Sequence, residues 1–129
     1  MDFDVLLKLM VEKEASDLFI TVGVPPSIKV NGKVMAVGKK ALDSEGALSV
    51  VESIMDDRQR EEFRDQKELN FAISRSGIGR FRVSAFYQRN AAGMVLRRIE
   101  TVIPTVEELL LPPILNDLVM TKRGIIIFV

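Results

Sequence analysis

The sequence predicts an α+β fold, an antiparallel sheet with helices packed on one face, and three observations carry that expectation. Asn31-Gly32 lies inside the run Ile28 to Val34 and suits the positive φ angles of a two-residue hairpin turn. Gly79 to Tyr87 alternates apolar and polar residues with the period of a half-buried strand. Residues 2–14 and 44–55 instead repeat their apolar side chains at helical spacing. The chain has 129 residues, 47% of them hydrophobic. That suffices for one ordinary domain and is too short for two.

Each element follows from its own pattern. Residues 2–14 form a helix with Asp2 as N-cap; Val5, Leu6, Leu9 and Met10 face inward, and Lys8, Glu12 and Lys13 face water. Asp17 to Val22 is a strand, broken by Gly23-Val24-Pro25-Pro26, because proline cannot donate to a ladder. Asp43-Ser44 opens a helix whose inner face is Ala47, Leu48, Val51, Ile54 and Met55. Residues 56–66 form a short solvated helix anchored by Phe63, and Leu69 to Ser74 is a strand.

The stretch 79–100 is the most informative hairpin. Phe81, Val83, Ala85 and Tyr87 share one face; Arg80, Arg82 and Ser84 share the other. A turn over Asn90 to Gly93 returns the chain as Met94 to Ile99. An even connection centred on Ala91-Ala92 pairs Phe86 with Arg97 and Ser84 with Ile99, which puts Arg97 beside Arg82. An odd one would flip every side chain. Thr105 and Glu108 then make a capping box, Pro112-Pro113 starts a second short helix through Met120, and Ile125 to Val129 reads as a strand covered on both faces.

Composition narrows the chemistry. Lys plus Arg and Asp plus Glu each number 18, for zero net charge, and there is neither cysteine nor histidine. Disulfides, Cys/His zinc sites and histidine acid–base catalysis are therefore excluded. A binder held chiefly by phosphate neutralisation is disfavoured by the charge balance. The longest apolar run, Ile125 to Val129, is far short of the ~20 residues of a membrane helix. Met1-Asp2-Phe3-Asp4 lacks the basic start of a signal peptide, so the expectation is a soluble intracellular domain.

The zero total hides an asymmetry. Residues 1–75 carry a net −3, whereas residues 76–103 carry a net +4 made of Arg80, Arg82, Arg89, Arg97 and Arg98 against Glu100. Arginine presents a planar fork of donors that fits carboxylates and phosphates. Asp56-Asp57 and Glu61-Glu62 sit on a polar helix and read as a solvated face. Ser84 has no base near it and reads as an ordinary strand serine. Arg82 and Arg97 are the candidates for an anionic ligand or a partner subunit. No phosphate-binding G-x-x-x-x-G-K-[ST] run is present.

Ser16-Asp17-Leu18 with Gly23-x-Pro25-Pro26, GRFRVSAFYQR, VLRRIE, IPTVEELLLPPIL and KRGIIIFV, in that order, resemble the twitching-motility (type IV pilus retraction) ATPase family, PilT/PilU. The resemblance covers essentially the whole chain. Phe19, where the PilT branch usually has histidine, and the FYQRN stretch place it nearer the PilU branch.

The resemblance implies a PAS-like N-terminal domain over 1–100, a linker over 101–104, and over 105–129 the first helices and strand of a RecA-like motor domain. It implies a piece ending just before the nucleotide-phosphate loop, so the fragment alone is expected to be inactive and to hold no cofactor. The parent would be an ATPase using ATP and magnesium. It would work as a cytoplasmic hexamer, peripheral at the inner membrane, with a related retraction ATPase and an inner-membrane pilus platform protein as partners and no nucleic acid. The family's two phosphate-approaching arginines match Arg82, in the strand reading R-V-S, and Arg97, in the strand reading V-L-R. Arg80, Arg89 and Arg98 are weaker matches. The alternative is a stand-alone PAS-like ligand-binding or protein-interaction module with a cavity between sheet and helices.

Overall fold

Asp2 caps helix α1 (Phe3–Glu12), its carboxylate accepting from the Asp4 N–H at 3.0 Å. The helix buries Phe3, Leu6, Leu7 and Met10, a stripe rotated from the expected one. Val5 is 57% exposed and Leu9 only half-buried, because the wide apolar face of the helix offered two stripes and packing selects the one containing Phe3. The computed structural model describes residues 2–129, and the chain parts into two units between Ile99 and Glu100.

The first unit is built on one six-stranded antiparallel sheet. Its strands are β1 (Asp17–Ile20), β2 (Ser27–Val30), β3 (Lys33–Ala36), β4 (Glu68–Arg75), β5 (Gly79–Gln88) and β6 (Ala91–Ile99), in the order β3-β2-β1-β6-β5-β4. Strand β1 ends two residues early, and Val22 instead bridges to Leu42. The β2–β3 turn has φ 48 at Asn31 and 79 at Gly32, the backbone that Asn-Gly favours. Helices α2 (Ser44–Glu52) and α3 (Asp57–Gln66) lie between β3 and β4 in the chain. Asp43 caps the first of them, and Asp56 with Gln59 makes a reciprocal capping box on the second. Arg64 clamps Glu52 with two 2.8 Å hydrogen bonds, tying α3 to the end of α2.

The core lies on one face of the sheet. Leu18, Leu96 and Val83 are paired across β1, β6 and β5, as are Ile20, Met94 and Ala85. These six are buried with Leu7 and Met10 of α1, Ala47 and Val51 of α2 and Phe63 of α3. Burying each large apolar side chain contributes about 1.5–3 kcal/mol. Phe63, fully buried, meets the Tyr87 ring at 4.9 Å, and Lys67 Nζ lies 4.9 Å over that same ring.

The long hairpin keeps the expected faces with a different turn. Its two turn residues are Arg89 and Asn90, with φ 51 and 63, and Gln88 pairs with Ala91. Phe86 therefore pairs with Gly93 and Ser84 with Val95, not with Arg97 and Ile99. Ala91-Ala92-Gly93 looked turn-like because the residues are small. They pair instead because Gly93 accommodates a close approach: a Cβ there would lie 3.1 Å from the Ile20 carbonyl oxygen and 3.2 Å from the Phe86 ring. The connection is still even, so the faces survive.

In the second unit, Thr105 and Glu108 exchange the expected capping hydrogen bonds at 2.8 and 3.2 Å. They close a turn and not a helix, since Leu110 takes φ 54 and Pro112 bars continuation. Helix α4 spans Ile114–Val119. The strand expected over Ile125 to Val129 does not form. A strand needs a neighbouring strand for its N–H and C=O groups, and residues 100–129 hold no other strand to supply one. Among the described residues no helix is long and apolar enough to cross a membrane.

Candidate functional site

The face of the sheet turned away from α1, α2 and α3 carries one row of charged side chains. Lys29 of β2 stands opposite Asp17 of β1, Asp17 opposite Arg97 of β6, and Arg97 opposite Arg82 of β5. Strand alternation sends all four to the same side, since their neighbours Ile28, Leu18, Leu96 and Val83 fill the core. The two sequence-predicted arginines are thus directly opposed across adjacent strands. With Asn70, Ser84 and Val95 they line a shallow cleft of about 250 Å³.

The two arginines differ in what holds them. Arg97 Nε donates to Asp17 Oδ1 at 3.0 Å; the Arg97 side chain is 72% exposed and that of Asp17 only 6%. Ser16 Oγ donates to the other oxygen, Asp17 Oδ2, at 2.8 Å. Arg82 is exposed and makes no ion pair among the described residues. Like charges directly opposed on a sheet are unfavourable, so this pair persists because Asp17 neutralises one member.

Burial is the largest single influence on the Asp17 carboxyl and pushes its pKa up. Hydrogen bonds from Ser16 and Arg97, with the charges of Arg97 and Lys29, together outweigh it and hold the group below the ordinary aspartate value. The carboxylate is therefore ionised near neutrality, locked to one guanidinium.

Chemically, the cleft is a set of donors facing water. Two guanidinium forks, the Ser84 hydroxyl and the Asn70 amide suit the oxygens of a phosphate or carboxylate. They do not suit a magnesium ion, which takes oxygen ligands. The one carboxylate on this row, Asp17, is already committed to Ser16 and Arg97. Among the described residues, no three His, Cys, Asp or Glu side chains gather as a metal site.

Of the weaker arginine candidates, Arg80 stands opposite Ile99, one pleat from the cleft, and Arg89 occupies the hairpin turn. Arg98 stands opposite Phe81 and is half-buried. Three contributors differ from their expected parts: the sequence pattern does not mark Asn70 as a candidate, places Ser84 on the arginine face only as an ordinary strand serine, and gives Asp17 no part in the site. Asn70 and Ser84 reach the cleft through the β4–β5 register, where they pair. Asp17 was visible only as an acid at the head of an otherwise apolar strand, DLFI. Phe86 shares the arginine face but lies against Gly93.

No family model matches the sequence. The chain is 64% identical over 129 residues, its whole length, to the type IV pilus ATPase PilU of Pseudomonas aeruginosa, and 34% identical over 127 residues to the type IV pilus retraction ATPase PilT of the same organism. It spans 34% and 37% of those proteins, about a third of each. Among solved structures, the pilus retraction motor PilT with bound ADP superposes with a TM-score of 0.75 at 29% identity, over 92% of this chain and 35% of that one. The Legionella pneumophila ATPase DotB, at 22% identity and a TM-score of 0.66, covers 95% of this chain and 35% of that one and shares the fold.

Proposed function

Because the chain belongs to the PilT/PilU family of secretion ATPases, we propose that it is the N-terminal part of a type IV pilus motor and lends Arg82 and Arg97 to its nucleotide site. The observation that carries this reading is the direct opposition of Arg82 and Arg97 in an open cleft. ADP bound in the related PilT structure supports a nucleotide phosphate as the anion.

The chemistry asked of these residues is electrostatic. ATP with its magnesium ion brings the transferring phosphoryl group, on which negative charge is redistributed during transfer. Arg82 and Arg97 offer guanidinium N–H groups to phosphate oxygens, while Ser84 and Asn70 add neutral donors in the cleft lining. An arginine reaching across from another domain accelerates such transfers by roughly a thousandfold or more.

The remaining parts of the proposal follow from the family. Residues 1–100 are the arginine-bearing domain, 101–104 a linker, and 105–129 the opening of a RecA-like motor domain. The piece by itself is inactive, its sequence holding no phosphate-cradling G-x-x-x-x-G-K-[ST] loop. The parent assembles as a hexamer in the cytoplasm at the inner membrane, working with a related retraction ATPase and a pilus platform protein. A stand-alone module with a cavity between sheet and helices is disfavoured. Leu7, Met10, Phe63, Phe81 and Met94, each fully buried, occupy that space.

ATP turnover by the full-length motor is the test. Arg82→Ala should lower kcat roughly a thousandfold if the residue acts as a finger. Wild-type turnover in that variant would return Arg82 to an ordinary solvated sheet face.

A further inference from the structure

Arg97 is exposed over most of its side chain, yet it has a fixed attachment. A long, exposed arginine normally samples many rotamers, and its head group wanders over several ångströms. Here one N–H, at Nε, is committed to a carboxylate that is itself almost entirely buried. Of the five N–H donors of a guanidinium, only the one at Nε is committed among the described residues, and Arg97 lines the cleft together with Arg82.

The holder is fixed in turn. Asp17 lies in β1, paired on one side to β2 and on the other to β6. The Ser16 hydroxyl takes its second oxygen. At the head of the strand, the Ser16 N–H donates to the Lys29 carbonyl and the Ser16 carbonyl accepts from the Arg98 N–H, at 2.9 and 3.0 Å. The backbone is thus clamped from both sides beside the carboxylate.

We infer that Asp17 is a positioning residue for Arg97. It grips the Nε edge of the guanidinium so that the terminal nitrogens are presented to the incoming anion, an inference resting on the phosphate-contact reading of Arg97. Arg82, without such a partner, adapts to the anion after it arrives. Asp17 touches no substrate. Its contribution is the orientation of a group that does, where a displacement of about 1 Å can cost up to a hundredfold in rate.

The experiment measures kcat and KM for ATP in the full-length motor carrying Asp17→Asn, Arg97→Ala, or both. Asp17→Asn keeps the shape and removes the charge that holds the guanidinium. The expected result is a kcat lowered about tenfold with KM within about twofold, and a double variant no slower than Arg97→Ala alone, as residues acting as one unit behave. A thermal melt distinguishes this from a damaged fold. If Asp17→Asn melts far below wild type, Ser16→Ala takes its place, since it loosens the carboxylate without removing it, and a kcat lowered about two- to threefold is expected.

Wild-type kcat in Asp17→Asn together with a strong loss in Arg97→Ala would overturn the positioning role and leave the phosphate-contact reading standing. A double variant showing the product of the two single losses would overturn it as well, because Asp17 would then act independently. Wild-type turnover in Arg97→Ala would remove both readings together, and that result is separate from the other two.

Discussion

Arg82 and Arg97 face each other across β5 and β6, yet only Arg97 is held by a carboxylate. Two side chains of the same type, in the same register, therefore respond differently to substitution. Arg97→Ala strips a buried carboxylate of its charged partner and should cost this chain roughly 1–2 kcal/mol of stability. Arg82→Ala removes an exposed, unpaired charge and should fall within about 0.5 kcal/mol of wild type. Urea midpoints of the two variants, compared at one pH, measure the difference; equal midpoints would deny the asymmetry.

Acid should expose the same ion pair. The Asp17 carboxyl is held below its ordinary value, so the unfolded chain takes up this proton more readily than the folded one. Its contribution is fully present above the unfolded aspartate value of about 3.9 and is lost as pH falls through the lower folded value. Asp17→Asn should flatten the acid side of the stability curve between about pH 4 and the lowest pH at which the chain stays folded. Urea unfolding across that range is the measurement, and parallel curves for variant and wild type would count against the pair.

Much of the fold was legible because its determinants are local. Asn31-Gly32, Asp43 and the alternation around Val83 each act within a few residues, and each appears where its pattern puts it. The Arg82–Arg97 face was legible for a related reason, since parity alone fixes which side a strand residue takes. The turn was misplaced by two residues at each end because small residues at 91–93 mimic a loop, while Arg89 carries an unfavourable positive φ. Asp17 stayed hidden because its partner is 80 positions away, and only the sheet order brings β1 beside β6. The strand at 125–129 is absent for the opposite reason: its apolar residues promise burial, but residues 100–129 hold no second strand to complete a ladder.

The misplaced turn makes its own prediction. Arg89 and Asn90 both adopt positive φ, which suits Asn-Gly better than Arg-Asn. Asn90→Gly should stabilise the hairpin by roughly 0.5–1 kcal/mol, because glycine pays no steric cost in that conformation. A higher urea midpoint with an unchanged slope is the expected outcome. A lower midpoint would indicate that the Asn90 side chain makes a compensating contact.

Phe63 anchors an otherwise solvated helix. It is the only residue of α3 that is buried, and it is buried completely. Phe63→Ala should cost about 3–5 kcal/mol. The loss should release α3 while leaving β5 and β6 paired. Faster amide exchange confined to residues 57–66, with the hairpin still protected, is the pattern to look for; uniform loss would mean the helix is integral to the sheet.

The open face also sets how the cleft responds to force. Arg82 and Arg97 ride on β5 and β6, which are flanked by β4 and β1, so neither strand lies at an edge of the sheet. Interior strands open last, and local unfolding in a sheet begins at its margins. A pull transmitted through an anion gripped by these two side chains would therefore meet the stiffest part of the domain. The load would pass into whatever adjoins the sheet, with little lost to stretching of the strands that carry it.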